Sequence, residues 1–359
     1  MSHPHPSRFL LATASLVVII AGLKVAAPLL TTFLLALFLT MICLPALRWL
    51  QKRQVGEISS VALLFLLLLL IGALLALLLG SSVADFTRQI PLYQQRLDGQ
   101  KAEFLQWLTS YGITLDADSI KGAFDPASAM GMAGTMLTSL GRSLANLLLI
   151  LLTTLFLLFE ARALPQKWQQ MSGHAPSSEI ITRFLDSANR YLVVKTWISL
   201  LTGVLVTILL ILVGVDYPLL WGVLSFLFNF VPNIGSIVAA IPAILLTLVQ
   251  LGGAPALIVT GGYMTINMVV GNLVEPRFMG REVGLSPLVV FLSLVCWGWI
   301  LGPVGMLLSV PLTMVVKLAL ESNPQWQWLA TLLGSAHASS IRSDKQQQRT
   351  VGSSMEDDR

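Results

Sequence analysis

Three hydrogen-bonding side chains, Asn229, Asn233 and Ser236, stand close together in an otherwise apolar stretch of the chain. An amide supplies donors and a carbonyl acceptor, and a hydroxyl supplies a donor and acceptor lone pairs. Such a set is suited to a neutral or anionic solute that carries several hydroxyl groups. The alternative is that these residues only break a helix or bond to neighbouring helices, which Asn and Ser also do in membranes.

The backbone of this stretch is predicted to break. Pro232, Gly235 and Pro242 interrupt the apolar run over residues 219 to 250, and proline in a helix interior costs about 3 kcal/mol because it removes a donor and clashes with the preceding turn. In lipid the freed backbone groups have no water partner, so the break must lie against protein or a cavity. We therefore predict a helical hairpin, with Ser236 as the N-cap of its second arm.

A second break of the same kind follows within residues 285 to 316. Gly302, Pro303 and Gly305 interrupt this run, and Pro303, Gly305 and Pro311 align with the proline, glycine and proline of the first break. Two interrupted apolar segments in corresponding halves of a sequence indicate the binding site of a transporter. The predicted site lies where the tips of the two hairpins approach each other at mid-membrane.

Polar residues between the hairpins extend the candidate site. Asn267 and Asn272 lie in a predicted span over residues 255 to 273, and Glu275 and Arg277 follow it closely. Because ionisable residues near a membrane span are functional candidates by default, Glu275 and Arg277 are candidates for gating or ion coupling. The competing interpretation is a structural ion pair between them at the cytoplasmic interface.

Catalytic and metal chemistry are not indicated by the sequence. The chain has four histidines, all in termini or loops, and two cysteines far apart in apolar runs: His3, His5, His174, His337, Cys43 and Cys296. Neither a nucleophile with its base, nor metal-ligand spacing, nor a phosphate-binding loop is visible. The sequence therefore predicts no enzyme, no metal site and no cofactor.

The composition is that of a membrane protein. Of 359 residues, 55% are hydrophobic and 11% are charged, and the mean hydropathy is +0.79, whereas soluble globular domains carry about 25% charged residues. The net charge of +4 is spread over short loops, which argues against nucleic acid as a partner. The lipid bilayer is the partner that this composition predicts.

The predicted fold class is an all-α polytopic membrane protein with about six full spans, two oppositely oriented broken-helix hairpins that form an inverted repeat, and a small helical external domain. The spans are residues 9–27, 29–47, 58–80, 144–159, 196–214 and 255–273. The basic cluster Arg48, Lys52 and Arg53 places the loop after the second span, and both termini, in the cytoplasm. A signal peptide competes with the first span, but Pro28 directly after Val-Ala-Ala argues against cleavage.

The chain is predicted to divide into five regions. They are a three-span bundle (1–80), a small helical periplasmic domain (81–143), a fourth span with a cytoplasmic interfacial helix (144–195), a transport core with both hairpins (196–321), and a cytoplasmic tail (322–359) that is disordered from about residue 335. The apolar residues of the periplasmic domain recur at helical spacing, which is more typical of packing than of a substrate-capturing cap.

Three segments carry a resemblance to a known family: FLLALFLTMICLPAL, FNFVPNIGSIVAAIP and GNLVEPRFMGREVGLSPLVVFLSLVCWGWILGPVGMLLSVPLT. Over roughly residues 9 to 333 the chain resembles the autoinducer-2 exporter family. The resemblance implies a bacterial inner-membrane protein that exports this small, polar, multiply hydroxylated quorum-sensing signal. It also implies a homo-pentamer whose protomers work by an elevator-like movement of the hairpins. A sodium/proton antiporter is the alternative, because the family includes members assigned that activity.

Overall fold

The fold is helical throughout the part of the chain that the structure describes. This computed structural model describes residues 6–111, 131, 134–135, 146–171, 178–232, 234–279, 285–321 and 326–334. Within those ranges, the only β-type pairing is an isolated bridge between Leu285 and Gly334. The all-α prediction is confirmed.

The N-terminal part consists of three helices: α1 (Pro6–Val25), α2 (Ala27–Lys52) and α3 (Glu57–Ser110). Pro28 lies in the first turn of α2, where its missing N–H has no intrahelical partner to lose. Helix α3 continues for 54 residues, so the helix does not end at residue 80, where the sequence predicts the start of a separate domain. Beyond residue 80, Phe86 and Tyr93 continue the buried face of α3. Most of residues 112 to 143 lie outside the described residues.

Two long helices follow, and the second is also continuous where the sequence predicts two elements. Helix α4 is Leu147–Met171, and α5 is the 36-residue helix Ser178–Val213. The predicted interfacial helix and the predicted span from residue 196 are therefore one element. Lys195, at the predicted junction, is buried instead of marking a break.

The C-terminal half alternates short and interrupted helices. They are α6 (Pro218–Phe228), α7 (Gly235–Leu251), α8 (Gly253–Val269), a π-helical turn (Val270–Val274), α9 (Glu275–Met279), α10 (Pro287–Leu301), α11 (Pro303–Leu307), α12 (Ser309–Glu321) and α13 (Gln327–Leu333). Both predicted backbone breaks are present, between α6 and α7 and between α10 and α12. The first arm of the first pair ends at Phe228, and its second arm begins at Gly235, one residue before the predicted N-cap Ser236.

Four helical segments of the described chain are long and apolar enough to cross a membrane: Ala27–Lys52, Glu57–Tyr93, Asp186–Val213 and Gly253–Phe278. Shorter apolar helices include Leu147–Ala161, Pro218–Phe228, Gly235–Leu251 and Pro287–Leu301. A crossing needs about 20 residues. The structure thus supports a multi-pass membrane protein, while the predicted count of six full spans stays a prediction.

The chain divides into two compact units, which are described separately. One contains Ala36–Ala161 and Lys195–Phe278, and the other contains Met1–Leu35, Arg162–Val194 and Met279–Arg359. The first broken helix pair lies in the former unit and the second in the latter. The predicted meeting of the two hairpin tips therefore stays a prediction.

In the unit that holds the first pair, α6 is enclosed by protein. Trp221 at its centre is fully buried, and its ring meets Phe86 of α3 edge-on at 5.3 Å between centroids. The surrounding core takes residues from α3, α5, α7 and α8: Tyr93, Leu210, Leu246 and Val259. This enclosure gives the interrupted backbone the protein contacts that lipid cannot provide.

In the other unit, α10 and α12 enclose a smaller core. Leu285, Val310 and Met314 are buried there, with Leu333 of α13 packed against them. The ammonium of Lys24 on α1 lies 3.8 Å from the ring centroid of Trp299 on α10. This cation–π contact ties α1 to the first arm of the second pair.

Candidate functional site

The first helix pair turns back on itself through a tight tip. Val231 N–H donates to Phe228 O at 2.8 Å, and Gly235 N–H donates to Val231 O at 3.2 Å. At the far end, Asp216 N–H donates to the side-chain oxygen of Gln250 at 3.0 Å. Because the start of α6 lies beside the end of α7, the two helices are antiparallel.

Gly235 packs directly on the carbonyl group of Phe228 within this tip. A Cβ atom at Gly235 would lie 1.8 Å from the carbonyl oxygen of Phe228, so only glycine fits without moving the backbone. Helix α7 begins at Gly235 with Ile234 at the N-cap position and no side-chain cap. The prediction that Ser236 caps this helix is wrong, because the tip closes through backbone bonds before Ser236 and leaves that residue half-buried inside the first turn.

The second pair closes in a similar way around another glycine. A Cβ at Gly305 would lie 2.0 Å from the carbonyl oxygen of Trp297. Gly302, with φ of +70°, supplies the left-handed bend before Pro303, the first residue of α11. Trp297 Nε1 donates to the hydroxyl of Thr313 across the two arms at 3.1 Å. Each pair, taken separately, therefore packs a glycine on a carbonyl near the end of its first arm.

Asn229 is the predicted site residue whose partner is clearest. Its side chain is 8% exposed, and its Nδ2 donates to the hydroxyl of Ser199 on α5 at 2.9 Å. One turn earlier on α6, the hydroxyl of Ser225 lies 3.3 Å from the hydroxyl of Tyr263 on α8. The tip of the first pair is thus joined by side-chain hydrogen bonds to both neighbouring long helices.

A glycine crossing brings α5 and α6 close enough for this contact. A Cβ at Gly203 would meet the carbonyl oxygen of Gly222 at 2.8 Å, and a Cβ at Gly222 would meet that of Gly203 at 2.8 Å. Small residues at such a crossing let two backbones approach inside a membrane. The short Asn229–Ser199 bond follows from this close approach, because Ser199 lies one turn from Gly203.

Glu275 pairs with a lysine that the sequence analysis did not select. The ammonium of Lys195 lies 2.6 Å from Glu275 Oε1, with 4% of the lysine side chain and 26% of the glutamate side chain exposed. Arg277 is exposed. The interpretation of Glu275 and Arg277 as an ion pair is wrong, because residues two apart on a helix point to different sides.

The other predicted site residues take varied positions. Asn267 is half-buried on α8, one turn after Tyr263, and Asn272 is exposed on the π-helical turn. Pro232 is half-buried in the first tip, Pro303 is exposed, and Gly302 is half-buried. Asn233 lies outside the described residues, so its placement stays a prediction.

The sequence reasoning missed the α5 side of the site. Lys195, Ser199 and Thr202 recur at helical spacing and are all buried. This row of polar residues in an apolar helix is a readable signal for a buried polar face. The sequence analysis did not select this row because Lys195 also fits the basic end of the predicted cytoplasmic interfacial helix.

Sequence comparison relates the chain to a family of transport proteins. The sequence profile described as AI-2E family transporter matches residues 13–325. The chain is 42% identical to "AI-2 transport protein TqsA" of Escherichia coli (strain K12) over 319 residues, which is 89% of this chain and 93% of that protein. It is 41% identical to "Putative transport protein" of Haemophilus influenzae over 91% of this chain and 96% of that protein. It is 36% identical to "Putative transport protein YhhT" of E. coli (strain K12) over 93% of this chain and 97% of that protein.

Proposed function

The chain belongs to the AI-2E transporter family and is a membrane transporter and not an enzyme; from this premise we propose that it exports autoinducer-2 across the bacterial inner membrane. The observation that carries the proposal is the similarity, over 89% of the chain, to a protein whose name states AI-2 transport. The chemistry of the first tip supports it, since amide and hydroxyl groups suit a small solute with several hydroxyl groups.

The proposed solute site is built on the first tip. Asn229, Asn233 and Ser236 supply hydrogen-bonding side chains, and Pro232 and Gly235 shape the backbone that presents them. The Asn229–Ser199 bond of 2.9 Å supports this choice, because both groups are already paired in a buried position. A solute hydroxyl inserted there would exchange one hydrogen bond for two, so no polar group would be left unsatisfied.

Further contributions are proposed from the polar side chains of α8 and its π-helical turn and from the second tip. These residues are Asn267, Asn272, Gly302, Pro303 and Gly305. The glycines and Pro303 would act through backbone groups, because a close backbone approach leaves N–H and C=O groups near a break as the available hydrogen-bonding partners.

The proposed mechanism is alternating access by an elevator-like movement within a homo-pentamer. Each broken helix pair is proposed to enter and leave the membrane on one face, with the two pairs entering from opposite faces as an inverted repeat. Two shared features support the repeat: a proline opens the first arm (Pro218 and Pro287), and a glycine packs on a carbonyl near the end of that arm (Gly235 and Gly305). A tip closed this tightly is suited to moving as one piece.

The transported solute is tested by deletion of the coding sequence and by reconstitution. Cells without the protein should hold more autoinducer-2 inside and less outside than cells that express it, and purified protein in liposomes should move autoinducer-2 down its gradient. Unchanged partition of the signal, together with a defect in growth at high sodium or high pH, would favour the sodium/proton antiporter instead.

The site is tested by substitutions at equal protein level in the membrane. Asn233→Ala and Ser236→Ala should each reduce autoinducer-2 efflux more than Glu57→Ala and Lys101→Ala do. The reason is that the first two remove a hydrogen-bonding group from the proposed site, and the other two change side chains distant from it in sequence. Normal efflux by both tip variants would mean that the tip only breaks the helix and that the solute binds elsewhere.

A further inference from the structure

A lysine is buried in the same unit as the first tip, in a helix that is long and apolar enough to cross the membrane. Lys195 is 3% exposed, and its ammonium is 2.6 Å from the carboxylate of Glu275. Removing two charges from water is costly and is offset only by a close partner. Ionisable residues in such a segment most often mark ion or proton pathways.

The pair is connected to the tip along α5. Lys195 and Ser199 are one turn apart, and Ser199 accepts the hydrogen bond from Asn229. Glu275 directly follows the π-helical turn Val270–Val274, and turns of this type are frequent at functional sites. The ion pair of Glu275 and the hydrogen bond of Asn229 are therefore made by consecutive turns of α5.

We propose that Lys195 and Glu275 form a proton-binding site that couples solute export to the proton gradient across the membrane. The proposal rests on the proposed transport function. A proton from water adds to the partly exposed carboxylate of Glu275 and converts it to the neutral acid. The ammonium of Lys195 then lacks its counter-charge, which disfavours the buried arrangement and favours the alternate state. Release of the same proton on the other side restores the ion pair, so one proton crosses per cycle.

The geometry favours a proton over a sodium ion. The ammonium of Lys195 occupies the position beside the carboxylate that a cation would take. Across the described ranges there is no group of three or more His, Cys, Asp or Glu side chains that could hold a metal ion. A sodium ion would need several oxygen ligands in place of one carboxylate that already has a cationic partner.

Few other titratable groups lie on the elements around the pair. By sequence, α6 and α7 have no acidic, basic, His, Cys or Tyr residue. Tyr263 lies on α8 and Arg277 on α9, and α5 carries five such residues before Lys195: Glu179, Arg183, Asp186, Arg190 and Tyr191. Glu275 is thus the one carboxylate on α6 to α9, which makes it the group to which an incoming proton binds.

Proton binding is tested without any solute. Infrared difference spectra of the purified protein in liposomes, recorded between about pH 9 and about pH 3, bracket the ordinary titration range of a carboxyl group. Glu275→Gln should remove one carboxylic acid C=O band, whereas Glu57→Gln, which changes an exposed side chain at the start of α3, should leave that band in place. A spectrum unchanged by Glu275→Gln would overturn the proposal whatever the solute is.

Coupling is tested in the same liposomes with autoinducer-2. Counterflow at equal pH should persist in the double variant Lys195→Met with Glu275→Met, which leaves no unpaired charge. With a gradient of one pH unit, the wild type should accumulate solute up to about tenfold for one exchanged proton, and the double variant should stay near onefold. Counterflow without gradient-driven accumulation in the wild type would refute the coupling alone. Absence of counterflow in the wild type would refute the proposed export function, and the infrared result would still decide on the proton site.

Discussion

Replacing Gly235 by alanine is the most direct test of the first tip. The added methyl group would lie 1.8 Å from the carbonyl oxygen of Phe228, 2.7 Å from its carbonyl carbon and 3.0 Å from the Cβ of Val231. Two of these atoms belong to the backbone, so rotation of a side chain cannot relieve the contact. The substitution must therefore separate α6 from α7 at the tip.

The size of the effect is the difference between two terms. Overpacking a well-packed site costs about 1–3 kcal/mol, and a collision with backbone belongs at the upper end. This cost is partly offset because alanine has a higher helix propensity than glycine, which stabilises the helix by up to about 1 kcal/mol. We expect Gly235→Ala to lower the free energy of unfolding by about 2 kcal/mol, which corresponds to roughly a 30-fold change in the unfolding equilibrium.

The assay is denaturant unfolding of the purified protein in detergent micelles, followed by circular dichroism. Gly261→Ala is the matched control, because it makes the same substitution on α8, where nothing lies within 4 Å of the position that the new methyl group would take. The control should be neutral or slightly stabilising. Gly305→Ala would bring its methyl group to 2.0 Å from the carbonyl oxygen of Trp297, so it should lose about as much stability as Gly235→Ala.

An equal unfolding midpoint for Gly235→Ala and Gly261→Ala would refute the close approach in the first tip. A loss for Gly235→Ala without one for Gly305→Ala would keep the first tip as described and contradict the equivalence of the two breaks. The inverted repeat would then lose its main structural support.

Three further predictions concern other parts of the molecule. Asn229→Ala and Ser199→Ala should show a coupling energy of about 1 kcal/mol in a double-mutant cycle of unfolding, since their side chains share one buried hydrogen bond; additive losses would contradict that bond. A cysteine at Glu282, in a protein without its native cysteines, should resist an impermeant thiol reagent in intact spheroplasts and react once they are opened; labelling from outside would rule out hairpins that enter from opposite faces. Burial, together with the carboxylate of Asp216, raises the pKa of Tyr217. Above about pH 10 the unfolded chain therefore loses its phenolic proton before the folded protein does. The stabilisation from the neutral phenol is complete below that pH, and the free energy of unfolding falls as the pH rises above it. Ultraviolet titration should show a later-ionising tyrosine that Tyr217→Phe removes.

The helix breaks could be predicted from sequence because proline and glycine act locally. A proline lacks its donor wherever it stands, so Pro232 and Pro303 indicated interruptions without any knowledge of their neighbours. The position of the cap could not be predicted in the same way. Ser236 is a favoured N-cap residue, but the cap position is Ile234 because the tip is closed by the contact between Gly235 and Phe228.

Partners across helices could not be predicted, because they depend on which faces meet. Glu275 has Arg277 close by in sequence, yet its carboxylate binds Lys195, 80 residues earlier. The amide of Asn229 likewise binds Ser199, 30 residues away. Helical spacing does place Lys195 and Ser199 on one face of α5. This face could therefore be predicted from the sequence, but the residues opposite to it could not.

Helix boundaries are hard to predict where polarity changes without a change in backbone structure. The sequence after residue 80 gains charges, and this gain predicts the start of a new domain, although α3 does not end there. Helix α3 continues past residue 80, where Phe86 and Tyr93 keep the helical spacing of its buried face, and it ends at Ser110. A shift in polarity therefore does not by itself end a helix, and the spacing of its buried residues is the better guide to whether it continues.

The unit that holds the first tip contains two kinds of contact, and they respond differently to a movement of its helices. The contact of Gly235 with Phe228 joins neighbouring parts of the chain, so it can persist while the pair moves as a piece. The contacts of Asn229 with Ser199 and of Glu275 with Lys195 join separate helices through single side chains. They are the interactions that a shift of α6 or α9 against α5 must break, and each leaves buried polar groups that need a new partner. In the proposed mechanism a solute hydroxyl replaces the first contact and a proton neutralises the carboxylate of the second, so solute and proton release the two contacts that resist movement.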